Sequence, residues 1–105
     1  FLESIQIIGV QPGDGDRIPG IRKWPMEYLP KIFNADKVDQ IIEVSSNEAK
    51  ETAQLLAQKE GIFGGISSGG AVCAALKLIE TLDSGIVAVI ICDRGDRYLS
   101  SDLFE

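Results

Sequence analysis

The chain has 105 residues, of which 45% are hydrophobic, and it carries a net charge of -6. This composition is typical of one modest globular segment and argues against a disordered tail. The acidic balance argues against a nucleic-acid partner, which requires a basic face, and against adsorption to an anionic membrane.

The residue types also limit the chemistry within the chain. Histidine is absent, which excludes Ser-His-Asp, Cys-His and histidine–metal sites. Cys73 and Cys92 lack metal-binding or redox spacing and lie in apolar runs, so we predict reduced thiols in a cytoplasmic protein. No apolar run is long enough to span a membrane, and we expect no signal peptide, because the opening "FLESIQIIGV" has no basic segment or cleavage site. The chain opens without an initiator Met, and we therefore expect it to start inside a longer protein.

The first half of the chain predicts two strands followed by a helix. The β-branched run at residues 4–12 and the segment 38–44 have strand character. Between them, residues 13–31 are rich in proline and glycine and predict a shaped loop, with one helical turn at 26–33. Residues 45–61 predict a helix, since Ser45 and Glu48 form a capping box and Gly61 suits the position just past the end.

The second half predicts one more helix and one more strand. Apolar residues nearly encircle a helix from about Ser68 to Leu82, which indicates burial on most sides. The run "IVAVIIC" at 86–92 predicts a strand buried on both faces, the pattern of a parallel sheet. Alternating strands and helices predict an α/β fold. Covering this helix and strand needs more layers than 105 residues supply, so we expect a piece of a larger domain.

The stretch "GGISSGGAVCAAL" at 64–76 is the first candidate site. Each glycine in a helix costs about 0.5–1 kcal/mol relative to alanine, so these glycines predict a close approach to the backbone. One interpretation is an anion at the helix N-terminus, although neither a Walker loop nor G-x-G-x-x-G is present. The other is that Ser67 or Ser68 caps the helix, worth about 1 kcal/mol. The loop after Val10 and the segment "CDRGDRY" are expected at the same sheet edge.

Four segments together resemble the later part of B-type cysteine synthases, also called O-acetylserine sulfhydrylase B or S-sulfocysteine synthase. They are "GVQP", "IPGIRKWPMEYLPKIF", "GIFGGISSGGAV" and "ICDRGDRYLS", and the resemblance covers essentially the whole chain. It implies a tryptophan-synthase-β-like α/β fold, pyridoxal 5'-phosphate as cofactor, and a homodimer. It further implies a transferase that replaces the acetoxy group of O-acetyl-L-serine with sulfide to give L-cysteine, or with thiosulfate, by β-elimination and addition.

The resemblance also implies roles for individual residues. The Ser67 hydroxyl would hydrogen-bond the pyridine nitrogen of the cofactor, where a neutral partner leaves the ring a weaker electron sink than a carboxylate would. Arg22 would supply a guanidinium for the thiosulfate dianion. The residues that it implies near the substrate are Gly20, Ile21, Arg22, Cys92 and Asp93.

Several parts of such an enzyme are absent from the sequence. The Schiff-base lysine, the loop that binds the substrate carboxylate and the phosphate cup belong to earlier segments of the family. We therefore predict that residues 1–105 form a single segment, the C-terminal part of the large cofactor-binding domain, without a complete second domain or a metal site. The chain alone is predicted to be inactive. The alternative is a non-catalytic α/β module that binds a small molecule or phosphate.

Overall fold

The structure is a computed structural model that describes residues 5–19, 21 and 35–95. The described elements are β1 (Ile8–Pro12), a 3-10 turn (Ala35–Lys37), β2 (Gln40–Val44), α1 (Ser46–Leu55), a π-helical turn (Leu56–Glu60) and α2 (Ile66–Ile79). The helical turn predicted at 26–33 lies outside the described residues.

The two strands form a parallel pair. Ile8 lies opposite Gln40, and the register continues to Pro12 opposite Val44. Proline has no N–H to donate, which suits the end of β1. Both predicted strands are confirmed, although each is shorter than its sequence pattern. The carboxyl ends of the two strands lie at one edge of the sheet, where the loop after β1 and the start of α1 meet.

Local sequence explains where α1 begins and where the helical segment ends. The Ser45 hydroxyl accepts from the Glu48 N–H at 3.1 Å, and Glu48 Oε1 accepts from the Ser45 N–H at 3.0 Å. This confirms the predicted capping box, which satisfies two N–H groups that a helix start otherwise leaves unpaired. After the π-helical turn, Gly61 ends the helix with φ 67°, the left-handed backbone that favours glycine.

A close approach between α1 and α2 accounts for one of the glycines. Ala49 and Ala53 are fully buried on the face of α1 that meets α2. A Cβ on Gly69 would overlap the Ala49 carbonyl oxygen and lie 2.9 Å from the Ala53 Cβ. The helices therefore touch backbone to backbone at Gly69. The core consists of Ile18, Val44, Ala49, Ala53, Ile66, Cys73 and Ala74.

One ion pair ties α2 to α1 and β2. Lys77 Nζ lies 2.9 Å from Glu48 Oε2 and donates to the Glu43 carbonyl oxygen at 3.2 Å. The pKa of Glu48 is lowered, first by the Ser45 N–H and then by Lys77, and the pKa of Lys77 is raised by its hydrogen bond to Glu48. Because both side chains are partly exposed, the pair contributes at most about 1 kcal/mol.

Two predictions for the second half of the chain need correction. The helix predicted from Ser68 to Leu82 runs from Ile66 to Ile79, and only its first part is buried, since Leu76 and Ile79 are exposed. The strand predicted at 86–92 is wrong for the described residues, where nothing pairs with this segment and Ile86 is 100% exposed. Apolar β-branched residues indicate suitability for burial, but a strand also requires a hydrogen-bonded neighbour.

Candidate functional site

The candidate site lies where the start of α2 meets the segment that follows residue 91. Gly64 forms an isolated antiparallel bridge with Arg94, and the Gly95 N–H donates to the Phe63 carbonyl oxygen at 2.8 Å. A Cβ on Gly64 would lie 2.9 Å from the Ser68 Cβ, so glycine permits this contact. Two of the three segments expected at the sheet edge are therefore adjacent.

Asp93 caps α2 from this neighbouring segment. Its Oδ1 accepts from the Gly65 N–H at 3.0 Å, from the Ser68 N–H at 3.2 Å and from the Ser68 hydroxyl at 2.5 Å. Gly65 is the N-cap residue and has no side chain to cap with. The interpretation that Ser67 or Ser68 caps the helix is therefore wrong, because a carboxylate 25 residues beyond Ser68 serves that end.

Ser68 connects the two segments and is completely buried. Its hydroxyl accepts from the Asp93 N–H at 3.3 Å and lies 3.2 Å from the Asp93 carbonyl oxygen. With the carboxylate contact, this hydroxyl reaches three atoms of one residue. The family resemblance names Asp93 among the residues near the substrate. The pairing of Asp93 with Ser68 was missed, since nothing local signals a contact over this separation.

Ser67 is oriented toward a different atom. Its side chain is 3% exposed, and its Oγ lies 3.1 Å from the Sγ of Cys92, with either atom able to donate. Both described cysteines are free thiols, and Cys92 is exposed while Cys73 is buried. A thiol is a weak hydrogen-bonding group, whereas a hydroxyl offers one donor and two acceptor positions. The predicted cofactor residue and a predicted substrate residue are thus in direct contact.

The loop after β1 reaches the same region. Asp16 Oδ1 accepts from the Ser46 hydroxyl at 3.1 Å, which joins the loop to the start of α1. The Ile21 N–H donates to the Ile18 carbonyl oxygen at 3.0 Å, and a Cβ on Gly70 would lie 2.9 Å from the Ile21 Cδ1. Ile21 therefore lies beside the first turns of α2.

The other two predicted loop residues, Gly20 and Arg22, lie outside the described residues.

The electrostatics argue against an anion site at the start of α2. A bound phosphate would use the free N–H groups of a helix N-terminus. Here the Gly65 and Ser68 N–H groups donate to the carboxylate of Asp93, whose negative charge opposes a second anion. Within residues 5–19, 21 and 35–95, no group of three or more side chains has the makeup of a metal site.

Comparisons with known proteins give relatives of this chain in sequence and in fold. A family model described as "Pyridoxal-phosphate dependent enzyme" matches residues 2–93. The cysteine synthase B proteins of Pseudomonas aeruginosa and Salmonella typhimurium are 52% and 53% identical to this chain over 97% of it. The chain spans 34% of the length of each of these relatives.

Two solved structures extend the likeness to the fold. A cysteine synthase from Entamoeba histolytica has a TM-score of 0.83 and 32% identity, with 95% of this chain and 32% of that one covered. An O-ureido-L-serine synthase has a TM-score of 0.84 and 27% identity, with 96% and 34% covered. These likenesses confirm the predicted α/β fold of the tryptophan-synthase-β type.

Proposed function

This chain belongs to the family of pyridoxal-phosphate dependent enzymes, and we propose that it supplies one wall of the active site of a B-type cysteine synthase. The proposed reaction converts O-acetyl-L-serine and sulfide to L-cysteine, or uses thiosulfate as the sulfur donor. The observation that carries this proposal is the 52% identity to a cysteine synthase B over 97% of the chain. Because the chain spans a third of that relative, the whole activity is proposed for a protein with the remaining segments.

Ser67 is the proposed partner of the cofactor's pyridine nitrogen. Its hydroxyl is buried, and its thiol contact leaves hydrogen-bonding capacity for a ring nitrogen in either protonation state. The Asp93 Oδ1 is engaged by Gly65 and Ser68, which favours the neutral hydroxyl over this carboxylate oxygen as the partner. When bound, pyridoxal phosphate supplies the electron sink that labilises the substrate, and a neutral partner moderates that sink.

The substrate contacts are proposed for the loop after β1 and for the segment after residue 91. Ile21, beside the first turns of α2, and Cys92, in contact with Ser67, are described residues that support this assignment. Gly20, Arg22 and Asp93 complete the proposed set. Gly20 and Ile21 would offer backbone groups, and Arg22 would offer charge-assisted hydrogen bonds to an anionic sulfur donor.

Three wider features belong to the same proposal. Residues 1–105 are proposed to lie in the C-terminal part of the large cofactor-binding domain. The complete enzyme is proposed to be a homodimer in the cytoplasm.

Neither described helix has the length and apolar character that a membrane span requires.

A hybrid protein tests the proposed activity. In the hybrid, residues 1–105 replace the equivalent third of the Pseudomonas aeruginosa cysteine synthase B. We expect this hybrid to make L-cysteine from O-acetyl-L-serine and sulfide. The 105-residue chain with pyridoxal phosphate is expected to make none, because the resemblance puts the cofactor-binding lysine in a segment that this chain does not cover. The measurement is L-cysteine by mass spectrometry. A hybrid that binds the cofactor but forms no L-cysteine, while its parent does, would contradict the proposal.

Arg22 gives a test of the sulfur donor. In the active hybrid, Arg22→Ala is expected to lower kcat/KM for thiosulfate about tenfold, the loss of a charge-assisted hydrogen bond, with a smaller loss for sulfide. Sulfide is small and lacks the oxygens that a guanidinium grips in two places. The neighbouring Lys23→Ala variant is the control and should change both donors little. Equal losses with the two donors would count against the anion clamp.

A further inference from the structure

The hydrogen bonds of Asp93 join two segments that are far apart in the sequence. Its Oδ1 accepts from the N–H of Gly65, the N-cap residue of α2, and from the N–H of Ser68, in the first turn. A capping box supplies similar bonds from within a helix, as Ser45 and Glu48 do for α1. For α2 the acceptor comes from outside, so the cap also fixes residues 92–95 against the helix.

Ser67 lies between the two amides that this carboxylate holds. With Gly65 and Ser68 tied to one oxygen, the backbone that carries Ser67 has little freedom to shift. Cys92 immediately precedes Asp93, and its Sγ lies 3.1 Å from the Ser67 Oγ. Ser67 is next to Ser68 in the sequence, and Cys92 is next to Asp93. The Asp93–Ser68 hydrogen bonds therefore hold the immediate neighbours of both side chains in place.

We infer that Asp93 is a positioning residue, whose carboxylate holds the first turn of α2 so that the Ser67 hydroxyl has one fixed location beside the Cys92 thiol. The relevance of that location to catalysis rests on the proposed function. This positioning role is separate from the substrate contact proposed above, because Oδ1 acts through the Gly65 and Ser68 amides on either side of Ser67. The acceptor oxygen is the feature on which this role depends, since the Gly65 N–H, the Ser68 N–H and the Ser68 hydroxyl are neutral donors to Oδ1.

Two substitutions of Asp93 separate the effect of its acceptor oxygen from the effect of its negative charge. Asp93→Asn removes the charge but keeps a side-chain oxygen that accepts hydrogen bonds, whereas Asp93→Ala removes both. Asp83→Ala, at an exposed position four residues beyond the end of α2, is the matched control. Each variant of the 105-residue chain is compared with the unsubstituted chain without cofactor, by hydrogen exchange at the Gly65 and Ser68 amides and by iodoacetamide alkylation of each cysteine.

We expect Asp93→Ala to speed exchange at Gly65 and Ser68 about tenfold, as local opening replaces a closed cap. Cys92 should be alkylated several-fold faster in Asp93→Ala than in Asp93→Asn; because both substitutions remove the charge, that difference reports the lost acceptor oxygen. The exchange rates of Asp93→Asn should stay within about twofold of those of the unsubstituted chain. Asp83→Ala should match the unsubstituted chain in both exchange and alkylation. Buried Cys73, later in α2, should keep its alkylation rate in every variant, which excludes general unfolding.

Three outcomes would overturn the inference. One is unchanged exchange at Gly65 and Ser68 in Asp93→Ala. The second is an equal effect of Asp93→Asn and Asp93→Ala on exchange and alkylation, which would make charge the cause. The third is faster alkylation of Cys73 together with Cys92, which would indicate a general loss of stability. None of these measurements involves the cofactor, so they decide the role of Asp93 whether or not the hybrid protein makes L-cysteine.

Discussion

Replacing Gly69 with alanine is expected to lower the free energy of unfolding by about 3 kcal/mol, the range of an overpacked core. The added Cβ would overlap the Ala49 carbonyl oxygen and press on the backbone nitrogen and Cβ of Ala53, both at 2.9 Å. These atoms belong to the buried backbone face of α1, so relief requires the two helices to move apart. The helix propensity gained by alanine, about 1 kcal/mol, offsets only part of the loss. Urea denaturation of both proteins measures the difference.

Gly70→Ala is the matched control, because the adjacent glycine lies in the same helix and gains the same propensity. Its Cβ would meet the Ile21 Cδ1 at 2.9 Å, the far end of a flexible side chain, and the Ala49 Cβ at an ordinary 3.6 Å. We expect Gly70→Ala to change the free energy of unfolding by less than about 1 kcal/mol. Similar losses in the two variants would contradict the backbone contact at Gly69.

Local signals in the sequence predicted the part of the fold that local interactions determine. The capping box of Ser45 and Glu48 and the left-handed backbone of Gly61 depend on neighbours within five residues, and both are confirmed. The strand predicted at 86–92 failed because pairing is a property of a partner segment, which residue pattern alone does not supply. The predicted burial of the second part of α2 is wrong for the same reason, since an apolar surface indicates only that burial would be favourable.

The candidate site shows the same difference between features that the local sequence predicts and contacts between distant segments. The glycine-rich stretch predicted a close approach, and the approaching group at Gly69 is the α1 backbone, which no spacing in the stretch identifies. Ser67 and Cys92 were named separately, through the family resemblance, and the structure brings them to 3.1 Å. One interpretation of the stretch gives the cap of α2 to Ser67 or Ser68, whereas a carboxylate that accepts from two N–H groups and a hydroxyl caps that end. Long-range polar contacts depend on tertiary packing and leave little local trace.

The second large effect is expected at Ser67 in the hybrid protein. Ser67→Ala should weaken pyridoxal-phosphate binding about fivefold, equivalent to the loss of one hydrogen bond worth about 1 kcal/mol. The stability of the protein without cofactor should change little, because the described partner of this hydroxyl is a thiol. A fluorescence titration with pyridoxal phosphate gives the affinity, and thermal unfolding of the cofactor-free protein gives the stability.

Ser68→Ala is the control that separates a ligand contact from a structural one. Ser68 is buried beside Ser67, but its hydroxyl bonds to the backbone and carboxylate of Asp93. Its loss should lower the free energy of unfolding by about 1–3 kcal/mol, because the partner groups are left without this hydrogen bond. The two serines should therefore show opposite profiles, with affinity changed first at Ser67 and stability first at Ser68. Unchanged cofactor affinity in Ser67→Ala would refute the ring-nitrogen role, even if Ser68→Ala behaves as expected.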